Sequence, residues 1–176
     1  MGVGVSNWRL ARAVAKAGQL GVVSGTALNT LLIRRLQEGD TGGAIRDAMA
    51  QCPLCEAARR IEKYYFISGG KGATQKYQLA PLFPAESSQE LIELTMVANF
   101  VEVHLAKHGH SGVVGLNLLE KIQLPTLASL FGAMLAVVDC VLMGAGIPRA
   151  IPGVLDRLAA WQPVELDLAV AETKAE

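Results

Sequence analysis

Small and polar residues follow three short apolar segments of the chain. Ser24 and Gly25 come after the first segment. Asn117 lies near the end of the second, and Gly144 and Gly146 follow the third. Glycine lets a flat ring or a phosphate approach the backbone closely, and an asparagine amide can both donate to and accept from the edge of a heterocycle. Because three such turns occur in one chain, we expect a ligand-binding site here rather than three ordinary turns.

Cysteine and histidine pairs give weaker signals. Cys52 and Cys55 form a single C-x-x-C pair, whereas a zinc site usually needs a second pair and a thioredoxin-like site needs its own βαβ context. His104 and His108 have the spacing of two metal ligands on a helix, but no carboxylate or cysteine completes the set at a clear spacing. Cationic histidines also suit the carboxyl end of a helix. Neither pair is therefore interpreted as a metal or redox site.

Composition and charge exclude several classes of protein. Of 176 residues, 51% are hydrophobic and 18% are charged, against about 25% charged residues in an average soluble domain. Such a chain buries much of itself, which excludes intrinsic disorder. Sixteen basic and sixteen acidic residues leave no net charge, which removes the electrostatic signature of a nucleic-acid-binding protein.

The cysteine content and the apolar runs bear on location. Three cysteines make a disulfide scaffold unexpected and fit a reducing compartment. The first residues lack the basic and apolar regions of a secretory signal. The longest uncharged run, Ile122 to Val138, is interrupted by proline, glycine and polar residues, so it does not predict a membrane span. We expect a cytoplasmic protein with no membrane partner.

The elements that must position the turns are strands and helices in alternation. Short apolar runs bounded by turn residues predict buried parallel strands at Leu20 to Val23, Val113 to Leu118 and Cys140 to Met143. The carboxyl ends of parallel strands are where α/β folds bind ligands, so the three turns are expected at one edge of a sheet.

Helices are expected between and around these strands. Ser6 is a candidate N-cap for a first helix, and Thr26 is one for a second helix that runs to about Gln37. The S-x-x-E pattern from Ser87 to Glu90 is a capping box in front of the longest helix. Further helices are predicted over residues 126–138 and 148–160. This alternation predicts an α/β fold with a parallel sheet and right-handed crossovers.

The pattern divides the chain into four parts. Residues 1–39 hold the end of a first strand, a helix and a second strand, and residues 40–85 form an insertion. Residues 86–160 hold further helix–strand units, and residues 161–176 form a tail. Within the insertion, short helices are predicted at 44–50 and 53–65. Residues 77–83 have the composition of a strand, but Pro81 disfavours one. In the tail, residues 164–170 could be an exposed strand or irregular chain.

Three segments resemble the nitronate monooxygenase family, formerly called the 2-nitropropane dioxygenases. The opening segment MGVGVSNWRLARAVAKAGQLGVVSG is similar to the start of that family. GVVGLNLLEKIQLP resembles the family's strand that carries an asparagine near the flavin, and DCVLMGAGIPRAIPGVLDRL resembles its next strand, turn and helix. The resemblance spans most of the chain outside residues 40–85.

The resemblance implies a (β/α)₈ TIM barrel, of which this chain holds about the first half, with bound FMN. The flavin would accept electrons from a nitronate or from NAD(P)H and pass them to oxygen or another acceptor. By resemblance, Gly2, Val3, Ser24, Gly25 and Asn117 would line the isoalloxazine ring.

The same resemblance assigns four further cofactor-binding residues. Glu120 and Lys121 follow the asparagine strand and would reach the ring or the ribityl chain, although a solvated charge pair explains them equally well. Gly144 and Gly146 would leave room for the flavin or a small-molecule substrate. No catalytic residue is assigned, because the chain has no counterpart of the family's histidine in a glycine-rich second half.

Length separates this chain from a whole barrel. A (β/α)₈ barrel takes about 250 residues, and its phosphate site lies after the seventh and eighth strands. We therefore expect an FMN-dependent oxidoreductase only when a missing half is supplied by another chain. One alternative is a non-catalytic half-barrel that self-associates. The other is a flavin-dependent enoyl reductase of fatty-acid or polyketide synthesis, which shares the barrel.

Overall fold

A parallel sheet of three strands organises the chain in the computed structural model, which describes residues 1–168. The strands of this part are β1 (Gly21–Ser24), β2 (Val114–Leu119) and β3 (Cys140–Gly144). Its seven helices are α1 (Trp8–Lys16), α2 (Leu28–Gln37), α3 (Ala44–Ala50), α4 (Cys55–Tyr65), α5 (Gln89–Lys107), α6 (Thr126–Leu135) and α7 (Ile151–Ala159). The α/β class and the positions of all three predicted strands are confirmed.

The strands lie in the order β1-β2-β3, and both pairs are parallel. Side chains alternate between the two faces of a strand. Val23 and Leu116 are paired across β1 and β2 and are fully buried on the face that packs against helices. Their neighbours Ser24 and Asn117 are paired on the opposite face, which we call the open face. The register therefore sorts the apolar core and the polar strand ends onto different faces of the sheet.

Helix α5 lies at the centre of the helical layer. It contacts α1, α2, α3, α4 and α6 as well as the first two strands. Twelve of its nineteen residues are buried, including Glu102, which is 2% exposed. A helix that is apolar all round lies inside a protein rather than on its surface. The long capped helix predicted from the sequence is thus confirmed as the centre of the packing.

The buried carboxylate of Glu102 joins three helices. The backbone N–H of Trp8, at the start of α1, donates to Oε1 of Glu102 at 2.8 Å. The guanidinium of Arg35, on α2, forms an ion pair with the same carboxylate. A buried charge is tolerated when it is paired and hydrogen-bonded, and both conditions hold here.

Helices α5 and α6 touch through their backbones at Gly132. A Cβ atom placed on this glycine would lie 2.1 Å from the carbonyl oxygen of Met96. No side chain fits in that gap, so glycine is required for the approach of the two helices at this point.

Two of the predicted helix caps are wrong by one position. Asn7, not Ser6, caps α1, because its Oδ1 accepts from the N–H groups of Arg9 and Leu10 at 3.0 and 3.2 Å. The carbonyl oxygen of Ser6 instead accepts from the N–H of Ser24 at 2.9 Å. At α5 the hydroxyl of Ser88, rather than Ser87, accepts from the helix backbone.

The cap predicted at Thr26 is absent, since α2 begins two residues later, after Ala27 in a left-handed conformation with φ of 55°. Helix α6 ends earlier than predicted, just before Ala136. Val137 is left-handed with φ of 57°, a conformation common just after a helix.

The insertion contains α3 and α4, as predicted, followed by irregular chain from Phe66 to Ser88. Residues 77–83, considered as a strand, are irregular. Here the backbone N–H of Gln78 donates to Oε1 of the buried Gln37 at 2.7 Å, and Nε2 of Gln37 donates to the carbonyl oxygen of Gln78 at 3.0 Å. Residues 164–168 form no strand. The rest of the predicted tail, residues 169–176, lies outside the described residues.

No helix in residues 1–168 combines the length and the apolar character needed to cross a membrane.

Asp139, just before β3, makes the fold sensitive to acid. Partial burial raises the pKa of this carboxyl, but hydrogen bonds from Lys107 at 2.6 Å and from the N–H of Val114 at 2.7 Å outweigh burial, and the net pKa is lowered. A lowered pKa in the folded state adds stability above the unfolded pKa, about 4, and loses it as pH falls through the folded pKa.

We expect Asp139→Asn to lower the urea midpoint at pH 7. The effect should shrink as pH falls below about 4 and disappear once pH is below the lowered pKa of the folded state, where the wild-type carboxyl is also neutral. Midpoints measured across this pH range for both proteins check the expectation. Asp156→Asn, at an exposed position in α7, is the control and should leave the midpoints unchanged at every pH. A difference between Asp139→Asn and wild type that persists at low pH would contradict the assignment.

Candidate functional site

The carboxyl ends of β1 and β2 bring three of the predicted site residues together. Ser24 is paired with Asn117 across the two strands, and the N–H of Gly25 donates to the carbonyl oxygen of Asn117 at 2.8 Å. The amide Nδ2 of Asn117 donates to the carbonyl oxygen of Leu142 on β3 at 3.3 Å. The asparagine side chain is half-buried on the open face, where a ligand can reach it.

The turns after β2 and β3 also meet. The N–H of Glu120 donates to the carbonyl oxygen of Gly144 at 2.9 Å. A Cβ atom on Gly146 would lie 2.2 Å from Oε2 of Glu120, so this carboxylate fills the space beside the glycine. Glu120 thus occupies the space that the sequence assigns to a ligand at Gly146. At Gly144 the space is open, because the nearest atom to a Cβ placed there is on Leu119 at 3.8 Å.

Gly2 and Val3 lie in an exposed turn before α1. The carbonyl oxygen of Gly2 accepts from the N–H groups of Val5 and Ser6 at 3.2 and 3.1 Å. The turn reaches the sheet through the hydrogen bond from Ser24 to Ser6. The structure therefore places Gly2 and Val3 near the end of β1, and they are linked to it through Ser6 and Ser24 rather than directly to Asn117.

A cavity of about 790 Å³ opens beside this edge of the sheet, on the face that packs against helices. Its walls are residues 25–30, 80–83, 118–119 and 121–125, two residues of helix α5, the start of α6 and Leu168. Of the predicted site residues, Gly25 and Lys121 line it. Its size is within the usual range for small-molecule sites, about 300–1,000 Å³.

Buried polar side chains line the part of this cavity formed by α5 and α6, which we call the cavity floor: Thr95, Asn99, Thr126 and Ser129. Nδ2 of Asn99 donates to the carbonyl oxygen of Thr95 at 2.9 Å, while Oδ1 of Asn99 is buried and has no partner among the described residues. Sequence reasoning missed these residues, because they lie inside a predominantly apolar helix. The available signal was a threonine and an asparagine one turn apart among buried apolar positions.

The cysteines and histidines form no centre. Among residues 1–168, no three His, Cys, Asp or Glu side chains are grouped to hold a metal ion. Burial raises the pKa of Cys52, which disfavours a reactive thiolate. Burial and the neighbouring His108 lower the pKa of His104, which disfavours the cationic form considered from the sequence for this histidine.

No protein-family model, no curated protein and no solved structure matches this chain. The resemblance to nitronate monooxygenases is therefore a hypothesis carried by residues 1–25, 112–125 and 139–158. The geometry of the strand ends and of the cavity is the basis for any functional proposal.

Proposed function

We propose that this chain is the first part of a (β/α)₈ barrel that binds FMN and acts as an oxidoreductase resembling the nitronate monooxygenases. The observation that carries the proposal is the row of strand ends, in which Ser24, Asn117 and Gly144 lie along one edge of a parallel sheet. Consecutive parallel strands in the order β1-β2-β3, joined through helices, are what neighbouring units of such a barrel require.

The residues at this edge fit a flat heterocycle. The Asn117 amide is fixed through Nδ2, and no described residue donates to its Oδ1, which leaves this oxygen to accept from a ring N–H. At Gly144 a ligand could approach the backbone closely, because a Cβ placed there would come no nearer than 3.8 Å to another residue, Leu119. Bound FMN would supply the electron transfer from a nitronate or from NAD(P)H, and the chain would supply binding and orientation.

The two charged candidates would act differently. Lys121 is exposed at the turn after β2 and can place its ammonium near an anionic part of the cofactor. Glu120 covers Gly146, so a ligand at this glycine must displace the carboxylate. We therefore assign Lys121 to cofactor binding and Glu120 to the access of a ligand to the strand ends.

Strands from outside these residues would complete the barrel. β1 and β3 are the two edges of the sheet, and Val22, Leu119 and Leu142 are only half-buried on or beside the open face. Unpaired edges and apolar surface favour association with further strands. A complementary half-barrel chain is the partner that this proposal requires.

Adding FMN to the purified chain tests the proposal. We expect the visible absorbance of the flavin to shift on binding, and Asn117→Leu to weaken the affinity about tenfold through the lost hydrogen bond. Gln19→Leu makes the same kind of change at the opposite, amino edge of the sheet and should leave the affinity unchanged. A wild-type chain that takes up no FMN would overturn the enzyme proposal for this chain alone.

The half-exposed open face favours a second candidate, a non-catalytic half-barrel that self-associates. The same experiment separates the two. A chain without affinity for FMN whose mass by light scattering is twice 18.6 kDa would support self-association. A flavin-binding monomer would contradict it.

A further inference from the structure

The floor of the 790 Å³ cavity is more polar than a packing defect would be. Thr95 and Asn99 from α5 and Thr126 and Ser129 from α6 line it, and all four are at most 3% exposed. Burying polar groups costs free energy unless they are hydrogen-bonded, so apolar side chains are the usual lining of an empty cavity. Four buried polar side chains facing one space point to a bound molecule.

The hydrogen bonds already made at the cavity floor determine where a ligand can donate a hydrogen bond. The hydroxyls of Thr95 and Thr126 donate to the carbonyl oxygens of Leu91 and Ile122, each at 2.9 Å. The carbonyl oxygen of Thr95 can only accept, so the amide group of Asn99 that faces it must be Nδ2. The two threonine hydroxyls have committed their single protons, and Nδ2 of Asn99 has committed one of its two. The threonines and Oδ1 of Asn99 therefore offer oxygen lone pairs to the cavity.

Among the side chains of the cavity floor, Asn99 is the one whose unpartnered polar atom is fully buried. Its Oδ1 is buried and accepts no hydrogen bond from any described residue. An unpaired buried acceptor costs free energy, and a ligand N–H or O–H would remove this cost.

The rest of the lining defines the body of the ligand. Leu28, Phe83 and Leu118 contribute apolar surface. Among the described lining residues the single charged side chain is Lys121, which is exposed at the turn after β2. With no carboxylate in the lining, a cationic amine would be buried without a counter-charge.

We propose that this cavity binds an uncharged ligand that has an apolar body and an N–H or O–H group, which donates to Oδ1 of Asn99. Gly25 and Lys121 belong both to this cavity and to the proposed flavin site, but Asn99, the hydrogen-bonding group proposed here, is not part of the flavin site. Leu118 lines the cavity, whereas its neighbour Asn117 points to the opposite face of the sheet.

Indole and benzofuran test the proposal, because they have nearly the same shape and differ in the ring N–H that benzofuran lacks. We expect indole to bind wild type about tenfold more tightly than benzofuran, since only indole can pair with the buried acceptor. Two-dimensional NMR of the backbone amides measures both affinities, and the shifted signals should include Leu118 and Ser129. Equal affinities, or no shifts at the cavity residues, would overturn the proposal on wild type alone.

Two variants locate the interaction. Asn99→Leu keeps the side-chain size and removes the acceptor, so the preference for indole should disappear. Gln89→Leu, an exposed amide on the same helix, is the matched control and should keep the full preference. Ser129→Leu would fill the cavity floor and should weaken both ligands equally, so a retained affinity for both would place the ligands elsewhere and contradict the site.

Discussion

Glu102→Ala is expected to lower the free energy of unfolding by about 3–5 kcal/mol, the usual result of removing one partner of a buried ion pair. The substitution leaves the guanidinium of Arg35 without its counter-charge, and that side chain is only 18% exposed. It also leaves the N–H of Trp8 without its acceptor at the start of α1. Urea unfolding followed by circular dichroism measures the loss, which is a large part of the 5–15 kcal/mol typical of a native protein.

Glu93→Ala is the matched control for this prediction. Glu93 lies on the same helix and also forms an ion pair with an arginine, Arg60, but the side chains are 19% and 56% exposed. Exposed ion pairs contribute about 0–1 kcal/mol, so the control should lose little stability. If both alanine variants lost the same amount, the role given to the buried carboxylate would be wrong.

Gly132→Ala is expected to destabilise the protein by about 3 kcal/mol, at the upper end of the cost of overpacking. The new Cβ would lie 2.1 Å from the carbonyl oxygen of Met96, which is backbone and cannot rotate away. Helices α5 and α6 would have to separate, which disturbs the packing on both. Thermal unfolding should show a Tm lower by about 6–12 °C for a chain of this length.

Gly153→Ala tests the same chemical change where space is open. Gly153 lies in α7, and nothing lies within 4 Å of a Cβ placed there. Alanine is a better helix former than glycine by about 0.5–1 kcal/mol, so this variant should be stabilised and its Tm should rise by about 1–4 °C. A rise in Tm for Gly132→Ala as well would mean that the two helices are not in backbone contact.

The strands and the central helix were predictable because their signals are strong and local. Apolar runs such as Val113 to Leu118 are bounded by turn residues, and the capped, mostly apolar stretch after Ser88 admits little other than a buried helix. The N-cap of α1 was missed by one residue because Ser6 and Asn7 are both good caps. Tertiary structure decides between them, because the backbone of Ser6 is held by Ser24 of β1 while the side chain of Asn7 accepts from the first turn of the helix.

The candidate site was predictable where topology dictates it. Parallel strands place their carboxyl ends at one edge, which brings Ser24, Asn117 and Gly144 together. The cavity floor was not predictable, because it depends on how α5 and α6 pack. They touch through their backbones at Gly132 and Met96, residues far apart in the chain.

The pairing of β1 with β2 also sets an order of events during synthesis. Roughly ninety residues separate paired positions such as Gly21 and Val114, so β1 emerges long before its partner. At about 5–20 residues per second, translation takes about 5–20 s to supply β2. For much of that interval α2, α3 and α4 have been made, but α5, against which all three pack, is incomplete. Their apolar faces are then open to contact with other nascent chains, and the arrival of α5 and β2 ends that exposure.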